Sequence, residues 1–433
     1  MPARPLNVGP FWMLFGDCSH SSMTDLRSTV RYDIVVFGAT SFVGQILCRY
    51  LLTTHGADRG LRWALAGRSA SKLGALRGRL GEAAATLGLI EVNAADEAGL
   101  RRMCHEARAI VSTVGPYALY GEPLVKVCAE TGTDYCDLTG EVQWIRRMIE
   151  RYGAVARASG ARIVQCCGFD SIPSDLGVWF LQRESQAAFG RACSRVKLRV
   201  KAMRGGFSGG TVASLLNVLK EAEANPALRK ELANPYSLCV ESSVNGVRQP
   251  GDSAITFDSD FHSWAAPFVM SGINTRIVHR SNALLGYPYG SGFVYDESVL
   301  TGKGLRGRVA AAALGLGLGA FMLAPVRELL ERFVLPKPGE GPSPLEQERG
   351  FFDLRLFGRT DEGQSLRVKV TGDRDPGYGS TAKMLGETVI CLAVEVSQSD
   401  CAGGFWTPAA ALGGRLLQRL QTNAGLTFER VDA

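Results

Sequence analysis

No two of the eleven cysteines stand in a C-x-x-C pair, and their number is odd. That spacing excludes a zinc ribbon or a redox pair and argues against a disulfide framework, so buried, reduced thiols of a cytosolic protein are expected. Histidine is scarce at five residues, with no H-E-x-x-H, and no metal site is expected. Lysine is scarce too, ten residues against 38 arginines. No basic run of five or six occurs and the net charge is only +6, so no nucleic-acid partner is expected. The first thirty residues hold a short apolar patch, 11–15, but no clear basic n-region. A secretory signal is therefore not expected, and residues 1–30 read as a loose N-terminal extension, with 1–22 preceding the internal Met23. The longest apolar run is eighteen uncharged residues, Val309–Val326, at the lower edge of a spanning length and rich in Ala and Gly. It reads as an apolar helix, with three open placements: a core, a membrane, or the surface of lipid or an acyl chain.

What is present is ordinary for a folded protein. Hydrophobic residues are 46%, charged 21% and aromatic 8% of the 433, enough chain for two domains. Residues 31–175 alternate strand and helix patterns, beginning with Y-D-I-V-V-F at 32–37 and a helical spacing over 43–52. Further strands are predicted at 61–66, 87–93, 109–114, 134–138 and 162–167, with helices at 71–80, 97–106, 123–131 and 142–158. This is the order of a Rossmann-type α/β fold with a doubly wound parallel sheet. After residue 175 the pattern changes to an α+β type, predicted as a second, substrate domain over 176–372 containing the apolar helix 309–326. Strong alternation over 352–370 and the Pro/Gly-rich break at 335–343 mark a strand region and an exposed loop.

The strongest local motif is G-A-T-S-F-V-G, Gly38–Gly44, between the first strand and the first helix. Gly38 permits a tight turn and Gly44 lets helix and strand approach. The helix N-terminus, with Thr40, Ser41, Phe42 and Val43, offers amide protons and a positive dipole to a pyrophosphate. Ser41 stands where a glycine would be usual, and a hydroxyl contact to phosphate is expected there. The second strand ends A-G-R-S, with no Asp or Glu for a ribose 2′-hydroxyl. Arg68 and Ser69, with Lys72 nearby, therefore read as a 2′-phosphate site, selecting NADP over NAD.

The fourth strand ends T-V-G-P-Y, which puts Thr113, Gly115 and Pro116 beside the cofactor's second half and Tyr117 and Tyr120 near the nicotinamide. Two more loops are expected at the same crevice: C-G-F-D-S-I-P-S-D-L-G (167–177), with Asp170 and Asp175, and G-G-F-S-G-G-T (205–211). The latter either holds an anionic group or simply turns. Its G-x-S-x-G match to a hydrolase elbow lies outside the parallel series that would support a nucleophile, so hydride chemistry is the better reading.

These motifs, together with Y-C-D-L-T-G-E (135–141), L-P-K-P-G-E-G-P-S (335–343), D-P-G-Y (375–378) and W-T-P-A-A-A (406–411), give a resemblance spanning about 31–430. The chain resembles the saccharopine dehydrogenase-like oxidoreductases, most nearly the trans-acting enoyl reductase branch that serves lipid-making polyketide synthases. The resemblance implies an NADPH-dependent reductase of an acyl or polyketide chain, presented by a carrier protein or synthase. It also implies that residues 373–433 return to the nucleotide domain. Tyr117 and Tyr378 are the expected catalytic proton donors, with Asp170 a third, and backbone amides of 205–210 could hold an enolate oxygen. The expected location is cytoplasmic, with peripheral contact to the plasma membrane. A different class stays open at this stage: a non-catalytic, lipid- or membrane-associated protein that keeps the nucleotide fold as a scaffold, suggested by Ser41 and by the absence of an obvious acid/base dyad.

Overall fold

A computed structural model describes residues 30–57, 60–206, 209–239, 246–251, 254–333 and 340–431. The expected extension lies, but for residue 30, outside the described residues. So do Phe207, Ser208 and most of the 335–343 break.

The first strand, β1 (Tyr32–Phe37), is buried along its whole length because helices cover both faces of its sheet. It is followed by α1 (Phe42–His55), β2 (Trp63–Gly67), α2 (Ala70–Leu80), β3 (Gly88–Glu91), α3 (Glu97–His105) and β4 (Ala107–Ser112). The one-turn α4 (Tyr117–Tyr120), α5 (Glu122–Thr131), β5 (Asp134–Asp137), α6 (Val142–Ser159) and β6 (Arg162–Val164) complete the series. From there α7 (Ile172–Phe189) leads to β7 (Arg195–Arg204), α8 (Gly209–Ala224), α9 (Pro226–Ala233), β8 (Thr256–Asp258), β9 (Ser263–Pro267), α10 (Ser271–Leu284) and β10 (Val294–Gly302). Then come α11 (Gly304–Phe321), α12 (Ala324–Phe333), α13 (Pro344–Glu348) and the hairpin β11 (Phe351–Arg359) and β12 (Ser365–Gly372). The last elements are α14 (Thr381–Ile390), β13 (Gly404–Trp406), α15 (Pro408–Asn423) and β14 (Leu426–Val431).

Two seven-stranded sheets result. The first has the order β13-β6-β5-β4-β1-β2-β3 with every pair parallel. Its order reverses between β1 and β4, the switch point at which open α/β sheets bind their ligands. Ile34 and Val36 point to the face covered by α1, α2 and α14, whereas Val35 and Phe37 point to the face covered by α3, α5 and α6. The second sheet, β14-β12-β11-β7-β10-β9-β8, is antiparallel except between β7 and β10. α7 lies on it so closely that a Cβ at Gly177 would sit 3.3 Å from Val370.

The structure departs from the sequence reading in two places. The apolar helix expected over 309–326 is two helices, α11 and α12, bent by 93°. Pro325 is the reason: it has no N–H for the preceding turn, so it opens a new helix instead of continuing the old one. The C-terminal segment also divides. β13 extends the first sheet beside β6, but β14 pairs with β12 and closes the edge of the second. A three-residue strand is too short to be legible by alternation, and β14 has alternating burial only once β12 is its neighbour.

Candidate functional site

The turn from β1 into α1 is built on two glycines that no other residue could replace. Gly38 has φ +87°, and a Cβ there would lie 2.7 Å from both Thr113 Oγ1 and a Val114 methyl. A Cβ on Gly44 would overlap the Gly38 carbonyl oxygen and stand 2.9 Å from that of Ala39. Ser41 is the N-cap of α1: its hydroxyl accepts from Gly44 N at 2.9 Å and meets Thr113 Oγ1 at 2.8 Å. The expected Ser41 contact to phosphate is thereby corrected, since that oxygen is already held inside the turn. Its effect is indirect. Among the described residues, the amides of Thr40, Phe42 and Val43 have no acceptor, and the α1 dipole adds to their pull on an anion.

At the end of β2, Ser69 caps α2 through Lys72 N at 3.4 Å, and Glu91 from the end of β3 accepts from Ala70 N at 3.1 Å. Arg68 beside them is exposed, and among the described residues its guanidinium has no hydrogen bond or ion pair. Sequence reading missed Glu91, because only the parallel pairing of β2 with β3 brings it beside this turn. The NADP-type reading of A-G-R-S therefore concerns Arg68, with the exposed Lys72 nearby; among the described residues no protein group engages either side chain.

Beyond β4 the chain runs Thr113-Val114-Gly115-Pro116, with a cis bond between Gly115 and Pro116. Tyr117, expected as a proton donor, is buried, donates from its hydroxyl to the Ser112 carbonyl at 3.0 Å and accepts from Leu138 N at 3.1 Å. It ties the end of β4 to the end of β5, and burial with the nearby Asp137 raises its pKa well above that of an ordinary tyrosine. That places it as a structural ring and not as a free acid. Tyr120 is half exposed on the same turn.

Tyr378, the other tyrosine candidate, is buried and packs edge-on against Phe42, ring centroids 5.1 Å apart. The D-P-G-Y loop is therefore beside the fingerprint, held in shape by Asp375, whose carboxylate accepts from Tyr378 N and Gly379 N at 2.9 and 2.8 Å. Neighbouring loops crowd the same place. A Cβ on Gly205 would meet Pro376 at 2.6 Å, one on Gly206 would meet Pro342 at 3.7 Å, and one on Gly341 would meet Phe42 at 2.5 Å.

Asp170, in the loop after β6, differs from every other acid here. It is partly buried, burial pushes its pKa up to about 6, and among the described residues nothing donates to it. Gly140, after β5, is the adjacent backbone, its Cβ direction ending 3.9 Å from Asp170 Oδ2. By contrast Asp175, five residues on, is bonded to the Ser281 hydroxyl and to Ala409 N, and joins α7 to α10 and α15. Glu141, which sequence reading passed over, is buried and accepts from Tyr117 N and Ala118 N at 2.8 Å each and from the Ser214 hydroxyl at 2.9 Å. It thus fixes α8 over the end of the first sheet. Burial raises its pKa as well.

Nucleotide turn, switch point and a second sheet closing the crevice define a Rossmann-type, NADP-dependent oxidoreductase. Residues 34–164 match the saccharopine dehydrogenase NADP binding domain. The chain belongs to the trans-acting enoyl reductase family. It is 38% identical over 407 residues to the trans-acting enoyl reductase of Mycobacterium tuberculosis (H37Rv), covering 90% of this chain and 96% of that protein. It is 39% identical over 417 residues to that of Mycobacterium ulcerans (Agy99), covering 93% and 98%. Saccharopine dehydrogenase (L-Glu forming) of Saccharomyces cerevisiae shares the fold at a TM-score of 0.51 and 14% identity, over 92% of this chain and 99% of that one.

Proposed function

We propose that this protein is an NADPH-dependent enoyl reductase acting in trans on acyl or polyketide lipid intermediates, presented by a carrier protein or polyketide synthase beside the cytoplasmic face of the membrane. The observation that carries the reading is the extent of the family likeness. It runs through the second sheet and the C-terminal segment as well as the nucleotide fold. Ser41 does not weigh against cofactor binding, because as N-cap it leaves the three neighbouring amides available. That removes one of the two supports for a non-catalytic scaffold, the other being the absence of an acid/base dyad.

The residues fit the cofactor. Gly38, Thr40, Phe42, Val43 and Gly44 form the turn for the pyrophosphate, Ser41 shapes it, Arg68 and Ser69 stand where a 2′-phosphate would be met, and Thr113, Gly115 and Pro116 border the second half. When bound, NADPH supplies the hydride for the β-carbon of an enoyl thioester. The chain's own contributions are alignment, exclusion of water and one proton. Asp170 is the best-supported source of that proton for the α-carbon, because among the described residues its carboxyl is unengaged and its pKa of about 6 keeps a protonated fraction near neutral pH. Backbone amides of the 205–206 turn are suited to an enolate oxygen. Tyr378 serves as a wall beside Phe42.

The reading is tested by incubating the protein with 4-deuterated NADPH and a long-chain enoyl thioester, on carrier protein and on a small thiol. Deuterium at the β-carbon is the expected result. NADPH binding without reduction of any enoyl thioester would overturn it.

A further inference from the structure

A helix on a water-soluble surface normally turns its large apolar side chains inward. α11 does the reverse. Its buried positions are Gly307 and Ala311, followed by Gly315, whose Cβ direction meets Ile255 at 2.9 Å. On the opposite side Leu305, Val309 and Leu316 form a stripe at i, i+4 and i+11, exposed by 75%, 59% and 74%. The small residues let the helix lie close on β9, and the large ones face away from the protein. After the 93° bend the pattern continues, with Met322, Leu323, Leu329 and Phe333 all more than half exposed. Among the described residues no single helix is long and apolar enough to cross a membrane.

The charges bordering α11 are of one sign, whereas α12 carries both, with Glu328 exposed and Arg327 paired with Glu223. Lys303, Arg306 and Arg308 border the first turn of α11, Arg332 stands near the far end of the pair, and α11 carries no acidic residue. A second copy packed α11 against α11 about a twofold axis would set Arg306 and Arg308 near their own counterparts, with no carboxylate on that helix to offset them. An anionic surface with an apolar interior matches both features.

We propose that the α11–α12 pair seats the protein on an anionic lipid leaflet, with α11 in the membrane plane, the stripe of Leu305, Val309 and Leu316 toward the acyl chains, and Lys303, Arg306 and Arg308 at the headgroups. The proposal gives a surface to the membrane contact in the functional reading and rests on that reading for its purpose, but it is measured without any enoyl substrate.

The test is co-sedimentation of the full chain with vesicles of phosphatidylcholine alone and of phosphatidylcholine with phosphatidylglycerol. Vesicles containing phosphatidylglycerol should capture the protein, more so at low salt, and the double variant Leu305→Glu, Leu316→Glu should bind them about tenfold less. NADPH fluorescence enhancement should be unchanged in the variant, showing that it is folded. Equal capture of wild type and variant overturns the proposal. So does a wild type that ignores both vesicles, including one that forms a dimer which the variant disrupts. Loss of enoyl reduction with vesicle capture intact would count against the substrate reading alone.

Discussion

The hydroxyls of Ser41 and Thr113 stand 2.8 Å apart, joining the head of the first helix to the end of the fourth strand across the switch point. Thr113 also donates to the Gly38 carbonyl at 2.9 Å, so Ser41 donates to Thr113 and accepts from Gly44 N at 2.9 Å. The nucleotide turn is therefore fixed by a short hydrogen-bonded chain before any ligand arrives. Thr113→Val keeps the shape and removes both bonds. It should lower stability by about 1–2 kcal/mol and weaken NADPH binding roughly tenfold, a factor worth about 1.4 kcal/mol. Thermal melts and fluorescence titration measure both, and an unchanged affinity would show that the turn does not need this restraint.

Gly44→Val places a side chain against the Gly38 carbonyl. Helix and strand can no longer approach, so NADPH binding should be lost, while far-UV circular dichroism stays near that of the wild type. Undiminished binding by the variant would place the pyrophosphate elsewhere.

Arg68 is the cation at the end of β2 that no described residue engages. Replacing it with Glu removes a charge-assisted contact worth about 1.5–3 kcal/mol. NADPH should then bind roughly 10–100-fold more weakly while NADH is little affected. Wild-type protein with equal affinity for the two cofactors would contradict the role given to Arg68.

Asp170→Asn should cut turnover by roughly 10²–10⁴ with little change in KM, if the carboxyl gives the proton. In the wild type, kcat/KM should fall as pH rises through about 6, where Asp170 ionises, and the variant should lose that limb. The same group acts on stability with a definite sign. Its folded pKa lies above the ordinary 3.8, so its unfavourable ionisation in the folded state grows as pH rises through about 6. Asn at this position should therefore raise the melting temperature at pH 8 but not at pH 4, by an amount corresponding to at most about 3 kcal/mol.

Glu387 on α14 is buried and receives bonds from Tyr50 at 2.6 Å, His55 at 2.7 Å and Asn423 at 3.0 Å, with Arg419 paired at 2.7 Å. Burial alone would raise its pKa, but the His55 and Tyr50 hydrogen bonds and the Arg419 charge outweigh it and hold the carboxyl below the ordinary 4.5. Glu387→Ala removes the buried carboxylate shared by Tyr50, His55, Asn423 and Arg419, leaves Arg419 only the partly exposed Glu395, and should cost toward the low end of about 3–5 kcal/mol. Because the folded pKa is depressed, the wild type keeps this stabilisation above pH 4.5 and loses it as pH falls below. Urea titrations of both proteins at pH 7 and pH 4 should show the gap narrowing in acid.

What could be read from the sequence alone was whatever depends on near neighbours. Y-D-I-V-V-F followed by G-A-T-S-F-V-G specifies a buried strand, a glycine turn and a helix within thirteen residues, and the structure has all three there. The parallel α/β order, the family and the cation of A-G-R-S were legible for the same reason, since hydrophobic period, turn chemistry and motif spacing are local properties. Tertiary structure decided what depends on residues far apart. Tyr117 reads as a candidate acid until Ser112 and Leu138 engage its hydroxyl, and Ser41 reads as a phosphate ligand until Thr113, seventy-two positions away, meets it. The apolar run of α11 carries no mark of which side faces out. Only its packing through the small residues Gly307, on Gly302 of β10, Ala311, and Gly315, on Ile255 and on Pro267 of β9, turns the leucines to the surface, because a helix approaches a sheet most closely along its smallest residues.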